Sequence, residues 1–410
     1  MRNWAGNYEF KAARCHVPAS VEEVQAIVSR ATRVKAIGSR HSFNDIADTL
    51  SDLVSTEALR DGNEGIVSSS RDTVSVRPGV RYGDLARFLA HQNRTLANFA
   101  SLPHITVGGS VATGTHGSGV QNPNLAAAVR EVQMVKADGS LTRRYRGEGR
   151  GFGGAVVGLG ALGVVTELKL DTVPMFEVAQ TVYEGLDWKA QRDDFDAILS
   201  GAYSVSLFHD WRGDTIPQVW VKRTEGPSAP EYFGAKAADG PRHPLPEMPR
   251  ENCTPQMGDY GPAPDRLPHF RMEFTPSGGE ELQSEYILPR EWAFNALMAL
   301  DPIRDRIAPL LFVTEVRTAA ADDLWLSPMF GRDSVCVHFT WRPREPEVRA
   351  LLPEIEARLA PFTARPHWGK ISTMRIDGLY PRLDDFRALA REMDPEGKFR
   401  NAYLERHGVL

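Results

Sequence analysis

Cysteine is scarce in this sequence, and its three copies lie far apart. Cys15, Cys253 and Cys336 show none of the paired spacing that zinc sites and Cys-x-x-Cys redox sites require. We therefore expect no metal site. We also expect the protein in the cytoplasm, where thiols stay reduced.

Basic charge and long apolar runs are missing as well. Lys and Arg number 48 against 53 Asp and Glu, which leaves a formal net charge of -5. The sequence therefore lacks the excess of basic residues that binding to nucleic acid or to an anionic membrane surface needs. The most apolar long stretch, residues 151–170, is broken by glycines and does not predict a membrane span. The first residues mix aromatic and charged side chains where a signal peptide needs an apolar run. We expect a soluble protein that is not exported.

The sequence does have enough apolar material for two domains, since its 410 residues are 42% hydrophobic. The first third alternates helical and extended patterns, which indicates an α+β or α/β protein. The patterns predict helices at 20–31 and 80–91 and strands at 34–37, 73–76, 131–136 and 164–170, with a hairpin turn at Asp138-Gly139.

The rest of the chain differs in composition and in its sequence patterns. Residues 227–268 are rich in proline and predict a long loop. Runs of mixed polarity around this loop predict strands, and helical periodicity predicts helices, so we expect a sheet covered on one side by helices. The predicted strands are 204–211, 218–223, 269–274, 311–318 and 334–341, and the predicted helices are 289–299, 345–359 and 383–393.

A loop with the sequence AIGSRHSFN, residues 36–44, follows the first predicted strand. A glycine and small hydroxyl residues after a strand allow backbone N–H groups to converge on a phosphate. The loop lacks the G-x-G-x-x-G pattern and the lysine of a P-loop, however. For this segment alone, a tight turn with a solvated His41 stays open as the alternative.

A second loop, residues 101–119, reads SLPHITVGGSVATGTHGSG. Backbone this rich in glycine can approach a ligand closely. Its N–H and hydroxyl donors would suit a pyrophosphate without any charged side chain. For this run alone, an ordinary glycine-rich connection between strands stays open as the alternative.

Together the two loops resemble those of the vanillyl-alcohol-oxidase type of flavoprotein. The blocks NWAGN, GSRHSFNDI, LGALGVVTELKL, ELQSEYILPRE, RPHWGK and DPEGKFRNAYL resemble the alditol (xylitol) oxidase subfamily, and such blocks span nearly the whole chain. The resemblance implies an α+β, two-domain fold of the vanillyl-alcohol-oxidase/PCMH type. It implies an FAD-binding domain at 1–174, a substrate (cap) domain of β-sheet and helices at 175–375, and a C-terminal segment at 376–410 that returns to the FAD domain.

The resemblance also implies which residues hold FAD. It makes His41 the covalent anchor, because a neutral imidazole is a competent nucleophile toward the flavin methyl group. Some relatives add a second link through cysteine, but His104 stands at that position here, so a single attachment is expected. The other implied contacts are Ile37, Gly38, Ser39, Arg40, Ser42, Ser101, Thr106, Gly109, Ser110, Thr113, Gly114, His116, Val164, Val165, His367 and Asn401.

Some of these positions have plainer alternatives. His116 could be a hydrogen-bonding loop residue, because the second loop supplies donors mainly from its backbone. His367, Trp368, Phe399 and Asn401, which the resemblance brings near the flavin, could simply pack at a domain interface.

The resemblance implies a polyol pocket made of Ser101, Glu315, Arg317, Thr340 and Lys370. Glu315 and Arg317 are two apart, so on a strand they face the same side. Without the resemblance, a surface ion pair would be the alternative for these two residues.

The implied reaction oxidises the terminal hydroxyl of a linear polyol, such as xylitol or sorbitol, to the aldose, with hydride transfer to flavin N5 and reduction of O2 to H2O2. The base stays open among Lys370, Arg317 and His338, and His338 is expected behind the pocket wall. Ala100 stands where the family controls access of oxygen.

Two rival functions remain at this point. One is an aldonolactone oxidase or dehydrogenase of the same superfamily, which would oxidise a ring lactone. The other is a flavin-carrying binding or sensor protein without turnover, because a fold does not fix a function. We expect a monomer whose partners are a small polyol and O2.

Overall fold

The computed structural model describes residues 1–60, 64–149, 151–274 and 279–410. The first part of the chain folds into short strands and four helices. The strands are β1 (Arg14–His16), β2 (Val34–Ile37), β3 (Asp52–Ser55), β4 (Ile66–Ser69), β5 (Thr73–Val76), β6 (Arg94–Thr95), β7 (Val129–Val135), β8 (Leu141–Tyr145), β9 (Val164–Asp171) and β10 (Val173–Pro174). The helices are α1 (Val21–Arg30), α2 (Tyr82–Ala90), α3 (Val107–Ala112) and α4 (Phe152–Val156).

Two sheets organise this part. The parallel strands β1, β3 and β2 lie side by side in that order, and the antiparallel sheet has the order β4-β5-β9-β7-β8. Strands β6 and β10 form a separate pair. The predicted helices and strands of the first third are confirmed, with ends shifted by one or two residues.

Local chemistry explains where the helix α1 begins. The Ser20 hydroxyl accepts a hydrogen bond from the backbone N–H of Glu23 at 3.3 Å, which satisfies one free donor of the first turn. Val21, Val24 and Val28 follow at helical spacing and are buried. They pack in one cluster with residues of β2, β3, β7 and β9.

The second part of the chain builds one large sheet. Its strands are β11 (Glu177–Asp187), β12 (Ser204–His209), β13 (Thr215–Arg223), β14 (Glu231–Tyr232), β15 (Ala235–Ala237), β16 (Tyr260–Pro262), β17 (Leu282–Pro289), β18 (Leu311–Ala319), β19 (Ser334–Trp341) and β20 (Arg365–Pro366). The helices that follow are α5 (Phe195–Ser200), α6 (Ala293–Leu300), α7 (Arg304–Ile307), α8 (Glu345–Leu359), α9 (Leu383–Met393) and α10 (Ala402–Arg406). The strand order is β14-β15-β11-β13-β12-β18-β19-β17-β20, and β16 pairs with β11.

The two faces of this sheet have different surroundings. On β18, Val316 faces a cluster that includes buried residues of α6 and α8, whereas Glu315 and Arg317 face a cavity. This alternation follows from the two-residue period of a strand. The predicted sheet with helices on one side is confirmed, and its other face is available for a site.

Several predictions for this part need correction. The segment 269–274 is not a strand, because the N–H groups of His269 and Phe270 donate to the carbonyl of Ser101 instead of to a neighbouring strand. The predicted loop 227–268 contains the short strands β14, β15 and β16. Strands β11 and β17 were not predicted, and the helix predicted at 289–299 opens with a 3-10 turn before α6.

The C-terminal helices pack back against the first part of the chain. Asn401 caps α10, and its side-chain amide donates to the carbonyls of Asp45, Ile46 and Asp48. The ammonium of Lys398 donates to two carbonyls of the first part at 2.7 and 2.8 Å. The expected domain limits near residues 174 and 375 stay a prediction. In the described ranges, no helix combines the length and apolarity that a membrane crossing needs.

Candidate active site

A cavity of about 290 Å³ lies between the first part of the chain and the open face of the large sheet. Its walls come from the loop after β2, from α3 and the loop before it, from the segment after α4, and from β18 and β19. The two glycine-rich loops of the sequence therefore meet the charged strands at one place.

The two loops approach each other because Gly38 has no side chain. A Cβ atom on Gly38 would lie 2.2 Å from Oγ1 of Thr106, so any larger residue would push the loops apart. The contact is fixed by hydrogen bonds in both directions. The N–H of Ser39 donates to Thr106 Oγ1 at 3.3 Å, and the N–H of Thr106 donates to Ser39 Oγ at 3.1 Å.

His41 lies against the cavity and not in solvent. Its ring stacks on Trp4 with 5.1 Å between ring centroids, and its buried Nδ1 has no hydrogen-bond partner. Burial, assisted by the nearby His104, lowers the pKa of His41 to about 4, so the imidazole is neutral at pH 7. The preceding Arg40 has a left-handed backbone with φ of 61°, which is rare outside glycine. The interpretation of His41 as a solvated turn residue is wrong.

This part of the cavity fits the cofactor that the sequence implies. A neutral imidazole with an unpartnered nitrogen faces it, and the glycines and hydroxyl residues of both loops line it. Dinucleotide pyrophosphates are commonly held by such backbone and hydroxyl donors. FAD therefore suits the residues on the first part of the chain.

The opposite wall carries charged side chains on β18. Glu315 and Arg317 are only 4% and 6% exposed, so the surface ion-pair alternative is wrong. Arg317 donates from Nη1 to the hydroxyl of Ser101 at 3.0 Å, and the same nitrogen lies 3.5 Å from Glu315 Oε2. Thr340 and Lys370 line the same region. A buried polar row of this kind suits a ligand with several hydroxyl groups.

The sequence did not point to Glu285, a buried carboxylate on β17 behind this wall. Its Oε2 accepts from the ammonium of Lys370 at 2.6 Å, and its Oε1 accepts from Arg317 at 3.3 Å. The same Oε1 lies 3.1 Å from Nε2 of His116. The backbone carbonyl of Glu285 accepts a hydrogen bond from the N–H of His367. The available signal was an acid directly before the mostly apolar run 286–289, because a buried charge needs a partner.

Electrostatics at Glu285 favour its charged form. Burial alone raises the pKa of Glu285, but the charges of Lys370, His116 and Arg317 outweigh burial and hold this pKa well below its ordinary value. Burial lowers the pKa of Lys370, and Glu285 opposes that change. His116, Glu285 and His367 lie close enough together to bind a metal, but the carboxylate is already bonded to two cations, which would repel one.

His338 lies in the cavity wall itself, which corrects the expectation that it stands behind it. Both of its ring nitrogens lack a hydrogen-bond partner, and Nδ1 is 4.0 Å from Glu315 Oε2. Burial, together with the charge of Lys370, lowers the pKa of His338 to about 3. The imidazole is therefore neutral at pH 7, but a pKa this low also makes it a weak base. Lys370 is ion-paired to Glu285.

Most of the predicted site residues do meet at this cavity. Those in its wall are Ile37, Gly38, Ser39, Arg40, His41, Ser42, Ala100, Ser101, Thr106, Gly109, Ser110, Thr113, His116, Val165, Glu315, Arg317, His338, Thr340, His367 and Lys370. His269 and Gln283 also line the wall and were not predicted.

Three residues predicted to contact the cofactor, Gly114, Val164 and Asn401, do not line the cavity. Gly114 packs against Pro328, and Val164 points into the cluster beneath α1. The side-chain nitrogen of Asn401 donates to backbone carbonyls, and its side-chain oxygen accepts from the N–H of Leu404 as the cap of α10. Trp368 and Phe399, which the resemblance also brings near the flavin, are buried in the core and do not line the cavity.

The fold is shared with solved cholesterol oxidases. The structure superposes on a crystal structure of cholesterol oxidase from B. sterolicum with a TM-score of 0.79 at 15% identity, covering 99% of this chain and 96% of that chain. A solvent-stable cholesterol oxidase gives 0.76 at 16% identity, covering 100% and 97%. Residues 12–145 match the family model of an FAD binding domain, and residues 280–407 match that of D-arabinono-1,4-lactone oxidase. Fold and cavity thus define an FAD-dependent oxidoreductase with the α+β, two-domain vanillyl-alcohol-oxidase fold.

Sequence relatives define the family more closely. An alditol oxidase from Streptomyces sp. is 51% identical over 408 residues, which cover 98% of this chain and 97% of the relative. The chain belongs to the alditol oxidase family. Lactone enzymes are more distant, with 28% identity to L-gulono-1,4-lactone dehydrogenase from Mycobacterium tuberculosis over 98% of both chains and 26% to mouse L-gulonolactone oxidase over 99% and 97%.

Proposed function

We propose that this enzyme oxidises the terminal hydroxyl of linear polyols, such as xylitol and sorbitol, to the aldose and reduces O2 to H2O2. The observation that carries the proposal is the buried polar row of Ser101, Glu315, Arg317, Thr340 and Lys370, which shares one cavity with the loop of His41. A ligand with a hydroxyl on every carbon can satisfy such a row, whereas an apolar alcohol would leave it unpaired.

The charges of the cavity favour an uncharged substrate. Arg317 and Lys370 are cations, and the carboxylates of Glu315 and Glu285 lie within 3.5 and 2.6 Å of them. Two positive and two negative groups leave the pocket close to neutral. A neutral polyol therefore keeps this balance, while an anionic sugar acid would add an unmatched charge.

We also propose that FAD is attached covalently through His41 alone. The neutral ring and the unpartnered Nδ1 support this, because the attacking nitrogen must have a free lone pair. His104, at the position where some relatives carry a linking cysteine, binds the carbonyl of Met272 through Nε2 at 3.0 Å.

In the proposed reaction the substrate loses a hydroxyl proton to the protein and a hydride from the same carbon. Bound FAD would supply the hydride acceptor at N5, and the hydride together with the hydroxyl proton would provide the two electrons and two protons that convert O2 to H2O2. Arg317 and Lys370 are placed to donate to substrate hydroxyls, and Glu315 to accept from one. Ala100 is in the cavity wall, and its small side chain would leave room for O2.

His338 is the candidate base with unpartnered nitrogens, since Lys370 is ion-paired to Glu285. Replacing His338 with glutamine should therefore slow reduction of the bound flavin by xylitol at least about 100-fold, the usual contribution of a general base. Replacing Lys370 with methionine should mainly weaken polyol binding, because the lysine is ion-paired and acts as a donor. Anaerobic rapid mixing over a range of xylitol concentrations separates the two effects. If Lys370→Met abolishes reduction and His338→Gln does not, lysine is the base.

An oxygen-electrode screen tests the proposed function. The purified protein should consume O2 with linear polyols, with a preference among chain lengths, and should do so without an added electron-acceptor dye. Turnover of L-gulono-1,4-lactone in preference to every polyol would favour the lactone rival, and dependence on the dye would make that rival a dehydrogenase. Bound flavin with no turnover on either class would favour the binding or sensor protein. The cytoplasmic location and the monomeric state stay predictions.

A further inference from the structure

Lys222, on β13, is buried behind the cavity and is not part of its wall. Its ammonium donates to the carbonyl of Leu267 at 2.5 Å and lies 3.4 Å from the carbonyl of Pro268. It also lies 3.1 Å from Nδ1 of His269. A lysine ammonium has three donors, and here each donor has an acceptor. This lysine is therefore a fixed part of the structure and not a mobile charge.

His269 links this lysine to the cavity. Its second ring nitrogen, Nε2, lies 2.9 Å from Oε1 of Glu315. Because Nδ1 faces the donor Lys222 and Nε2 faces a carboxylate, the ring must carry its proton on Nε2. Burial, followed by the charge of Lys222, lowers the pKa of His269 to about 4, so the ring is neutral. The rings of Phe208 and Trp220 pack around it.

The same segment also holds Ser101. The backbone N–H groups of His269 and Phe270 donate to the carbonyl of Ser101 at 3.1 and 3.3 Å. The hydroxyl of Ser101 in turn accepts from Arg317. Lys222 anchors the segment to the sheet, and the segment fixes two members of the polar row, one by its imidazole and one by its backbone.

We propose that Lys222 and His269 are positioning residues for polyol binding. Lys222 holds the imidazole of His269 in the Nε2–H tautomer, and that N–H orients Glu315 as an acceptor for a substrate hydroxyl. This inference rests on the proposed function, since it assigns the polyol site its supporting residues.

Removing Lys222 should make polyol binding depend on pH. In Lys222→Met only Glu315 still favours a proton on Nε2, so the ring gains access to the tautomer with its proton on Nδ1, which turns a lone pair toward the Glu315 carboxylate. The charged groups that face His269 are Lys222, Glu315 and Arg317, and the charge of Lys222 lowers the pKa of His269. Without Lys222 this pKa rises, and at acidic pH the doubly protonated ring again donates to Glu315.

The wild-type protein should lack this dependence. Burial lowers the pKa of Lys222 to about 7, and the neutral amine still has two N–H donors, enough to keep one on Nδ1 of His269 on both sides of that pH. His269 itself stays neutral throughout, because its pKa is about 4.

Steady-state kinetics with xylitol on the flavin-loaded protein tests the proposal. We expect Lys222→Met to raise KM about tenfold at neutral and alkaline pH, the usual effect of losing a charge-assisted hydrogen bond, and to change kcat far less. KM should return toward the wild-type value as the pH falls. His269→Gln, which keeps a donor near Glu315, should raise KM less than His269→Leu.

Lys398→Met is the matched control, because Lys398 is another buried lysine whose ammonium binds only the carbonyls of Val28 and Ala137 among the described contacts. It should leave KM and its flat pH profile unchanged. A Lys222→Met variant with a raised KM that does not vary with pH would overturn the proposal, as would the same pH dependence in Lys398→Met.

Nitrogen NMR of the histidine-labelled, flavin-loaded protein gives a second test that needs no turnover. The signals of His269, assigned by their loss in His269→Gln, should report a proton on Nε2 and none on Nδ1 in the wild type. In Lys222→Met they should report the other tautomer or a mixture. A wild-type ring protonated on Nδ1 would overturn the proposal even if xylitol proved not to be a substrate, and absence of xylitol turnover alone would count against the proposed function only.

Discussion

Replacing His41 with alanine is expected to abolish covalent attachment of the flavin. The imidazole is neutral and its buried Nδ1 has no partner, so it can act as a nucleophile, and it lies in the loop to which the sequence resemblance assigns the linkage. The measurement is flavin fluorescence that stays with the denatured, acid-precipitated protein. Wild-type protein should retain its flavin through this treatment, and the alanine variant should release all of it. Polyol recognition should change only indirectly, because the polar row lies on other elements.

His104→Ala is the matched control for this experiment. His104 is a second histidine in the neighbouring loop, also with a buried Nδ1 that has no partner, and burial also lowers its pKa. It should keep its flavin fully attached. Covalent flavin in His41→Ala, or its loss in His104→Ala, would contradict a single attachment at His41.

Replacing Glu285 with glutamine is expected to damage both stability and activity. The variant leaves Arg317 and Lys370 buried without their shared counter-charge, which should lower the free energy of unfolding by about 3–5 kcal/mol. Loss of orientation at Arg317, Lys370 and His116 should lower kcat/KM for xylitol at least about 100-fold. Chemical denaturation and oxygen uptake measure the two effects.

Glu356→Gln separates the two effects. Glu356 is also a buried carboxylate, but its hydrogen-bond donors are neutral groups, among them the hydroxyls of Tyr286 and Ser372, on the helix side of the sheet. This variant should lose some stability and keep its kcat/KM. If both variants lose activity in proportion to stability, Glu285 has no specific role in the site.

Lowering the pH should reduce the contribution of the Glu285 carboxylate to the stability of the folded protein. Its pKa in the folded protein lies well below its ordinary value of 4.5. The carboxylate therefore contributes stability that is fully present above about pH 4.5 and is lost as the pH falls toward the folded-state pKa. Denaturation curves at descending pH should converge for wild type and Glu285→Gln, because the glutamine has no such contribution to lose.

The sequence predicted those parts of the fold that depend on near neighbours. The helix α9 was predicted with its observed bounds because its apolar residues recur at helical spacing. Glu315 and Arg317 were assigned to one face because side chains alternate along a strand. These signals are contained within a few residues, so no knowledge of tertiary structure is needed to read them.

The failures involve partners that are distant in sequence. Residues 269–274 alternate like a strand, but the backbone N–H groups of His269 and Phe270 donate to the carbonyl of Ser101, far earlier in the chain. The role of Glu285 in the site is evident only from the fold, which brings Lys370, 85 residues away, into contact with it. Asn401 looked like a ligand residue because its motif matched the family, yet its amide holds two segments of backbone together.

The most direct test of the central claim is anaerobic mixing of the purified protein with xylitol, followed by admission of air. We predict that xylitol bleaches the absorbance of the protein-bound flavin, and that air restores it with one H2O2 formed for each xylitol oxidised. Absorbance that xylitol leaves unchanged, but that L-gulono-1,4-lactone bleaches, would contradict the account.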